Sequence, residues 1–230
     1  PVISSVAPSA SSFVKVADVG YTLSEAITSG TVTYTRTGGN ADSGSPHVQN
    51  LSGAELNTGA HSLATLNSAP TLVDGAVYTI TFDATDPSGN AATAVSATSI
   101  TFDTTAPVIS SVAPSASSFV KVADVGYTLS EAITSGTVTY TRTGGNADSG
   151  SPHVQNLSGA ELNTGARSLA ALASAPTLVD GAVYTITFNA TDPSGNAATA
   201  VSVTSITFDT TVPVISSVAP SASSFVKVAD

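Results

Sequence analysis

The chain repeats itself every 106 residues. Pro1-Val2-Ile3-Ser4-Ser5-Val6-Ala7-Pro8 returns at Pro107 and begins a third time at Pro213. Residues 1–106 and 107–212 differ at six positions: His61/Arg167, Thr65/Ala171, Asn67/Ala173, Asp83/Asn189, Ala97/Val203 and Ala106/Val212. A fixed period constrains the fold more than any local pattern, because each copy must be one structural unit. This period is too long for a solenoid turn and right for a whole small domain. The chain therefore reads as two complete domains, 1–106 and 107–212, followed at 213–230 by the first strand or strands of a truncated third repeat. Units of about a hundred residues can each bury a core. The segment 213–230 cannot; it must dock on the domain before it, pair with another chain or stay loose.

Within one repeat the apolar residues alternate with period two, which is the signature of half-buried strands. Val19, Tyr21 and Leu23 alternate with Asp18, Gly20 and Thr22; Val32 and Tyr34 alternate with threonines; Tyr78, Ile80, Phe82 and Ala84 alternate with Thr79, Thr81 and Asp83. The phase breaks between Val95/Ala97 and Ile100/Phe102, which predicts a bulge near Thr98-Ser99. Residues 37–44 read as a loop, and Asp86-Pro87-Ser88-Gly89-Asn90 as a turn, with Pro where φ is fixed and Gly where a positive φ costs little. About seven strands are expected per repeat, near residues 2–7, 13–23, 31–37, 47–51, 61–66, 76–85 and 93–103. Seven short strands at this spacing predict an all-β fold of tandem antiparallel β-sandwiches, strung like beads. With no Trp and no Cys, Val, Ile, Leu, Tyr and Phe must fill the core.

Composition narrows the function. Sixteen acidic against six basic residues give a net charge of -10, which argues against nucleic acid and anionic membrane surfaces and favours cations. No apolar run is long enough to span a bilayer as a helix. The absence of cysteine excludes disulfides and thiol redox chemistry. Catalysis finds little support. His47 and His153 correspond, but His61 becomes Arg167, and a lone histidine beside Ser-Pro in a loop reads as a surface residue. There is no phosphate loop or metalloenzyme spacing, and duplication serves a spacer or a multivalent binder better than a catalyst. The chain is read as not an enzyme.

Three motifs carry a resemblance. Asp103-Thr104-Thr105-Ala106-Pro107-Val108-Ile109 resembles the joining sequence of tandem bacterial immunoglobulin-like repeats. Asp86-Pro87-Ser88-Gly89-Asn90 is similar to the Asp-x-x-Gly-Asn hairpin before the last strand of such domains. Asp74-Gly75-Ala76-Val77-Tyr78 resembles their corner before the sixth strand, where the Tyr hydroxyl ties the turn down. The family builds giant surface proteins and adhesins of Gram-negative bacteria, RTX-type and type I-secreted. The resemblance implies immunoglobulin-like sandwiches, an extracellular location on the bacterial surface, folding outside the cell, and calcium (Ca2+) at the domain junctions.

The residues give that ion a place. In a seven-stranded sandwich the loops after the second and sixth strands lie at the pole where the first strand enters. Asp103 in the linker should therefore meet Glu131 and Asp192 of the following repeat. Three carboxylates converging at a short joint repel one another without a cation, and calcium takes six to eight oxygens in flexible geometry. The equivalent groups are Glu25 and Asp86 at the N-terminal pole and Asp209 at the next junction. The plainer alternative is that these are solvated turn residues, since Asp opens turns for local reasons. Asp83 becomes Asn189 and points outward, so it reads as an exposed strand residue. The threonine rows Thr31, Thr33, Thr35, Thr37 and Thr79, Thr81 could order water, but an exposed β face looks the same.

The expected function is a structural extender or stalk of a large surface adhesin or fibre, each bead adding about 35–45 Å, with calcium stiffening the joints. The partners are then neighbouring repeats and other copies of the chain in a fibre. One alternative is a multivalent glycan- or protein-binding module using the loop at 37–47 or the variable patch at 61–67. Another is a filament in which Val214–Val218 adds to an open sheet edge of another molecule.

Overall fold

A computed structural model describes residues 1–217. Each repeat is a two-sheet sandwich. In the first, β1 (Ile3–Ala7), β3 (Asp18–Leu23) and β6 (Gly59–Thr65) form a three-stranded sheet in the order β1-β3-β6. Facing it are β2 (Phe13–Val14), β4 (Ser29–Gly39), β5 (His47–Asn50), β7 (Ala76–Thr85) and β8 (Val95–Phe102), in the order β2-β8-β7-β4-β5. The second repeat has the same arrangement. Its small sheet holds β9 (Ile109–Ala113), β11 (Val125–Leu129) and β14 (Gly165–Ala170). Its large sheet holds β10 (Phe119–Val120), β12 (Ser135–Gly145), β13 (His153–Asn156), β15 (Ala182–Thr191) and β16 (Val201–Phe208).

The alternating residues are the core. Val19, Tyr21 and Leu23 face Val32, Tyr34, Tyr78, Ile80, Phe82 and Ala84, all buried. Fully burying one such apolar side chain contributes about 1.5–3 kcal/mol. Tyrosines fill much of this core, and a buried hydroxyl must find a partner. Tyr21 donates to the Glu55 carbonyl at 2.8 Å and Tyr34 to the Ala17 carbonyl at 3.0 Å. The bulge is where the phase break predicts it. Tyr78 pairs with Ile100 but Ile80 with Ala97, so β8 carries one extra residue there, and Ser99 sits at φ +59°. The threonine rows lie outward, with Thr33 opposite Thr81 and Thr35 opposite Thr79.

Three expectations need correction. Residues 13–23 are two strands, not one, making eight per repeat. Phe13 and Val14 pair in parallel with β8 in the large sheet, whereas Asp18–Leu23 belong to the small one. The chain changes sheets over Lys15–Ala17, which lets β2 close the edge beside β8; the sandwich is thus antiparallel except for this pair. The loop expected at 37–44 begins later, because β4 bulges after Arg36 and still pairs Gly38 with Val77 and Gly39 with Ala76. A short 3-10 helix, Gly53–Leu56, interrupts the central segment. Of the expected third-repeat segment, residues 213–217 are described without a strand, with Val214 and Ile215 85% exposed. The rest of the expected third-repeat segment, Val218 included, lies outside the described residues.

The corner before β7 is tied down by Tyr78, whose hydroxyl accepts the Val73 N–H at 3.0 Å and donates to Asp42 Oδ2 at 2.7 Å. His47 is not a loop residue: it opens β5, and its Nε2 lies 2.7 Å from the same carboxylate oxygen. The second repeat repeats the triad as Tyr184, Asp148 and His153. Hydrogen bonds from Tyr78 first, then His47, hold Asp42 down to about 2 from its ordinary 3.8. A carboxylate whose pKa is lower when folded stabilises the fold above its unfolded pKa and loses that effect as pH falls through the folded one. The contribution of Asp42 and Asp148 is therefore intact above about pH 4 and lost toward pH 2. Melting curves from pH 5 to pH 2 should show a steep loss of stability in this window. The double variant Tyr78→Phe, Tyr184→Phe, less stable at neutral pH, should show a shallower one.

Candidate metal site at the junction of the repeats

The linker between the repeats is held from both ends. On the first repeat, Asp103 N–H donates to the Val14 carbonyl at 2.8 Å. Asp74, just before β7, then takes three hydrogen bonds with its two oxygens: Thr104 N–H and Oγ1 on Oδ1, at 2.5 and 2.8 Å, and Thr105 Oγ1 on Oδ2 at 2.8 Å. These donors hold Asp74 below the usual carboxylate range, the Thr104 N–H most of all. On the second repeat, Asn196 Nδ2 donates to the Asp103 carbonyl at 3.0 Å, and Ser194 Oγ donates to Asp103 Oδ2 at 3.2 Å. The chain then enters β9 with Pro107 buried and Val108 N–H on Ser130 Oγ at 2.8 Å.

This arrangement brings Asp103, Glu131 and Asp192 together. One oxygen from each lies within 4.8 Å of the others, and among the described residues no other trio of carboxylate or imidazole side chains is so placed. Asp192 opens the hairpin that precedes β16. Its carboxylate accepts Asn196 N–H at 2.7 Å and Asn196 Nδ2 at 2.8 Å, which fixes the turn. Glu131 follows β11 and answers to a different environment. Burial first, then the charges of Asp103, Asp192 and Asp74, push its carboxyl above the usual range. Ionised Glu131 is thus the strained member of the trio, and a cation is what would relieve it. The donor set fits a hard ion: three anionic oxygens on one side, with water or carbonyls free to complete six to eight ligands.

The other candidate residues form no such group. Glu25 is exposed, and its Oε1 lies 3.1 Å from the Pro1 amino group. Asp86 is 7% exposed against 1% for Asp192; it is occupied by Ser88 N–H and by Asn90 N–H and Nδ2. Asp209 accepts Thr211 N–H at 2.9 Å, while Asp180 holds Thr210 and Thr211 as Asp74 holds the first linker. Asp83 is exposed.

Sequence reasoning missed Asp74 and Asn196 as linker clamps. Both were visible in their motifs, but nothing local reveals which chain segment their side chains meet. It also left the patch at 61–67 unexplained. His61 stacks on Tyr21 with ring centroids 4.5 Å apart and sets Nε2 2.8 Å from the Asn57 carbonyl; Arg167 instead donates Nη1 to the Ala160 carbonyl. His61 thus reaches the residue that ends the 3-10 helix of its repeat, and Arg167 the equivalent helix itself, Gly159–Leu162. Asn67→Ala173 is absorbed because the bond to the Glu55 or Glu161 carboxylate is made by main-chain N–H, at 2.8 Å in each copy.

No family model matches the sequence, and no curated protein matches it. Among solved structures, the chain is similar to the fibronectin(III)-like modules of Clostridium thermocellum CbhA. The TM-score is 0.40 and the identity 13%, over 90% of this chain and 94% of that one. It is also similar to a tetra-tandem repeat in the extending region of a large adhesion protein. There the TM-score is 0.31 and the identity 20%, over 90% of this chain and 48% of the other.

Proposed function

We propose that this chain is part of the extending shaft of a large bacterial surface protein, its repeats set end to end and stiffened by calcium at each joint. The observation that carries the reading is the doubly held linker. Asp74 fastens Thr104 and Thr105 to the first repeat, and Asn196 fastens Asp103 to the second. A flexible tether would leave these groups to water. A shaft needs a joint of defined angle, and a cation between Asp103, Glu131 and Asp192 would cross-link the linker to two loops of the next bead. The calcium sites of extracellular modules are weak, with Kd about 10⁻⁴–10⁻³ M. That suits a protein working outside the cell. The role is mechanical, not catalytic.

The test is small-angle scattering and thermal unfolding of the full chain in calcium and in chelator. A ligand bound only by the folded state stabilises it by about 2.7 kcal/mol at a hundredfold excess over Kd. The expected result is a melting temperature higher by several degrees in calcium, together with a longer and stiffer particle. If neither changes, there is no calcium at the joint. If the repeats tumble independently in both buffers, the chain is not a shaft.

A further inference from the structure

We infer that Lys15 is a second, cation-independent clasp of the joint, gripping the hairpin of the following repeat. The inference deepens the shaft reading and rests on it. Lys15 lies in the crossing from β2 to β3, outside the linker, and its Nζ donates to the Gly195 carbonyl of the next repeat at 2.7 Å. Gly195 sits at φ +83°, a conformation that suits glycine in the Asp192–Asn196 turn, and the Lys15 Nζ lies 3.5 Å from where a Cβ would be. The hairpin is thus met twice by the first repeat: by the linker at Ser194 and Asn196, and by Lys15 at Gly195.

Three observations support a built contact. Lysine is used sparingly here: the chain has three, Lys15, Lys121 and Lys227, all at one position of the repeat, and Lys227 lies outside the described residues. Lys15 follows Val14, whose carbonyl receives Asp103 N–H, so the clasp and the start of the linker share a base. The two near-identical repeats also provide an internal comparison. Phe13, two residues before Lys15, is 47% exposed where a complete repeat follows, against 74% for its counterpart Phe119. The second attachment has a mechanical consequence. A joint held only through its linker can swivel about it, and a hold at a separate residue resists that rotation. The carboxylate trio needs a cation to pull together; an ammonium on a carbonyl does not.

The chain has no cysteine, so two spin labels can be introduced on the outer faces of β4 and β12 through Thr35→Cys and Thr141→Cys. The distance distribution between them is then measured in calcium and in chelator, in the otherwise unchanged chain and with Lys15→Met or Lys121→Met. Lys15 is exposed, and an unaltered melting temperature of the first repeat would confirm that the variant folds. In chelator the unchanged chain should show a distribution only modestly broader than in calcium. Lys15→Met should broaden it at least twofold there and remain narrow in calcium, while Lys121→Met should match the unchanged chain. If Lys15→Met is as narrow as the unchanged chain in chelator, or the unchanged chain is already as broad, the clasp is wrong whatever calcium does. If Lys15→Met broadens the distribution in both buffers and calcium alters neither protein, the clasp stands and the cation reading falls.

Discussion

Glu131→Gln is expected to raise the melting temperature of the chain in chelator and to shrink its gain from calcium. The two effects have one cause. Without a cation, ionised Glu131 is partly buried beside Asp103 and Asp192, with one oxygen of each inside 4.8 Å, and burial first, then these charges, push its carboxyl above its ordinary range. A carboxylate whose pKa is higher when folded costs stability once pH has risen through it. A neutral isostere removes that cost of burial and repulsion, worth about 1 kcal/mol at a partly exposed site, or roughly 4–8 °C for a domain of this size. With calcium the same change removes an anionic ligand. If affinity falls tenfold, a gain of about 2.7 kcal/mol at a hundredfold excess shrinks to about 1.4 kcal/mol. The measurement is the melting temperature in each buffer, with calcium titrated calorimetrically into both proteins. A surface glutamate with no part in a site would alter neither. An unchanged calcium gain would remove Glu131 from the ligands, and an unchanged melting temperature in chelator would show that the trio is too solvated to repel.

That trio was legible because it follows from counting. Alternation fixes the strands, and the number of strands fixes the pole to which each loop belongs. Linker Asp103 and the loops carrying Glu131 and Asp192 must then meet. The core was legible for the same reason: Tyr21, Tyr34 and Tyr78 each occupy the inward phase of a strand. The exchange of sheets at Lys15–Ala17 was misread, although its signal is present. Val14 and Val16 keep one phase while Val19, Tyr21 and Leu23 keep the other, the same break that marked the bulge at Ser99. The 3-10 helix also announced itself, since Ser52-Gly53-Ala54-Glu55 has the spacing of a capping box, and Glu55 does return to Ser52 N–H at 2.7 Å. The buried Asp42–His47–Tyr78 triad, the Asp74 clamp and the Lys15 clasp were not legible. Each joins groups from different elements, up to 180 residues apart for Lys15 and Gly195. Side-chain reach across a folded surface leaves no period in the sequence.

Gly39→Ala should be the most damaging small substitution in the first repeat. Gly39 ends β4 at φ +66°, and a Cβ there would lie 2.1 Å from the Gly75 carbonyl oxygen and 3.0 Å from Ala76 Cα. Neither neighbour is the end of a mobile side chain. The Gly75 carbonyl is itself fixed, accepting Asn40 N–H at 3.0 Å, and Gly75 N–H donates to the Phe102 carbonyl at 2.7 Å. Relief must therefore move the corner that carries Asp74, Tyr78 and the start of β7. A left-handed conformation costs an ordinary residue about 1–2 kcal/mol, and forcing an extra methyl into packed backbone costs about 1–3 kcal/mol more. A total of about 2–5 kcal/mol lowers the melting temperature of a hundred-residue domain by roughly 8 °C or more. The second repeat is an internal control, because Gly145 has the same surroundings, with a Cβ 2.1 Å from the Gly181 carbonyl oxygen. Calorimetry of Gly39→Ala should resolve one displaced and one nearly unchanged transition; Gly145→Ala should displace the other, and the double variant both. Because the corner holds Asp74, the displaced first repeat should also loosen its grip on Thr104 and Thr105, seen as faster hydrogen exchange at the Thr104 amide. A shift of less than a few degrees would mean that the corner yields easily, and a joint anchored on it could not hold an angle.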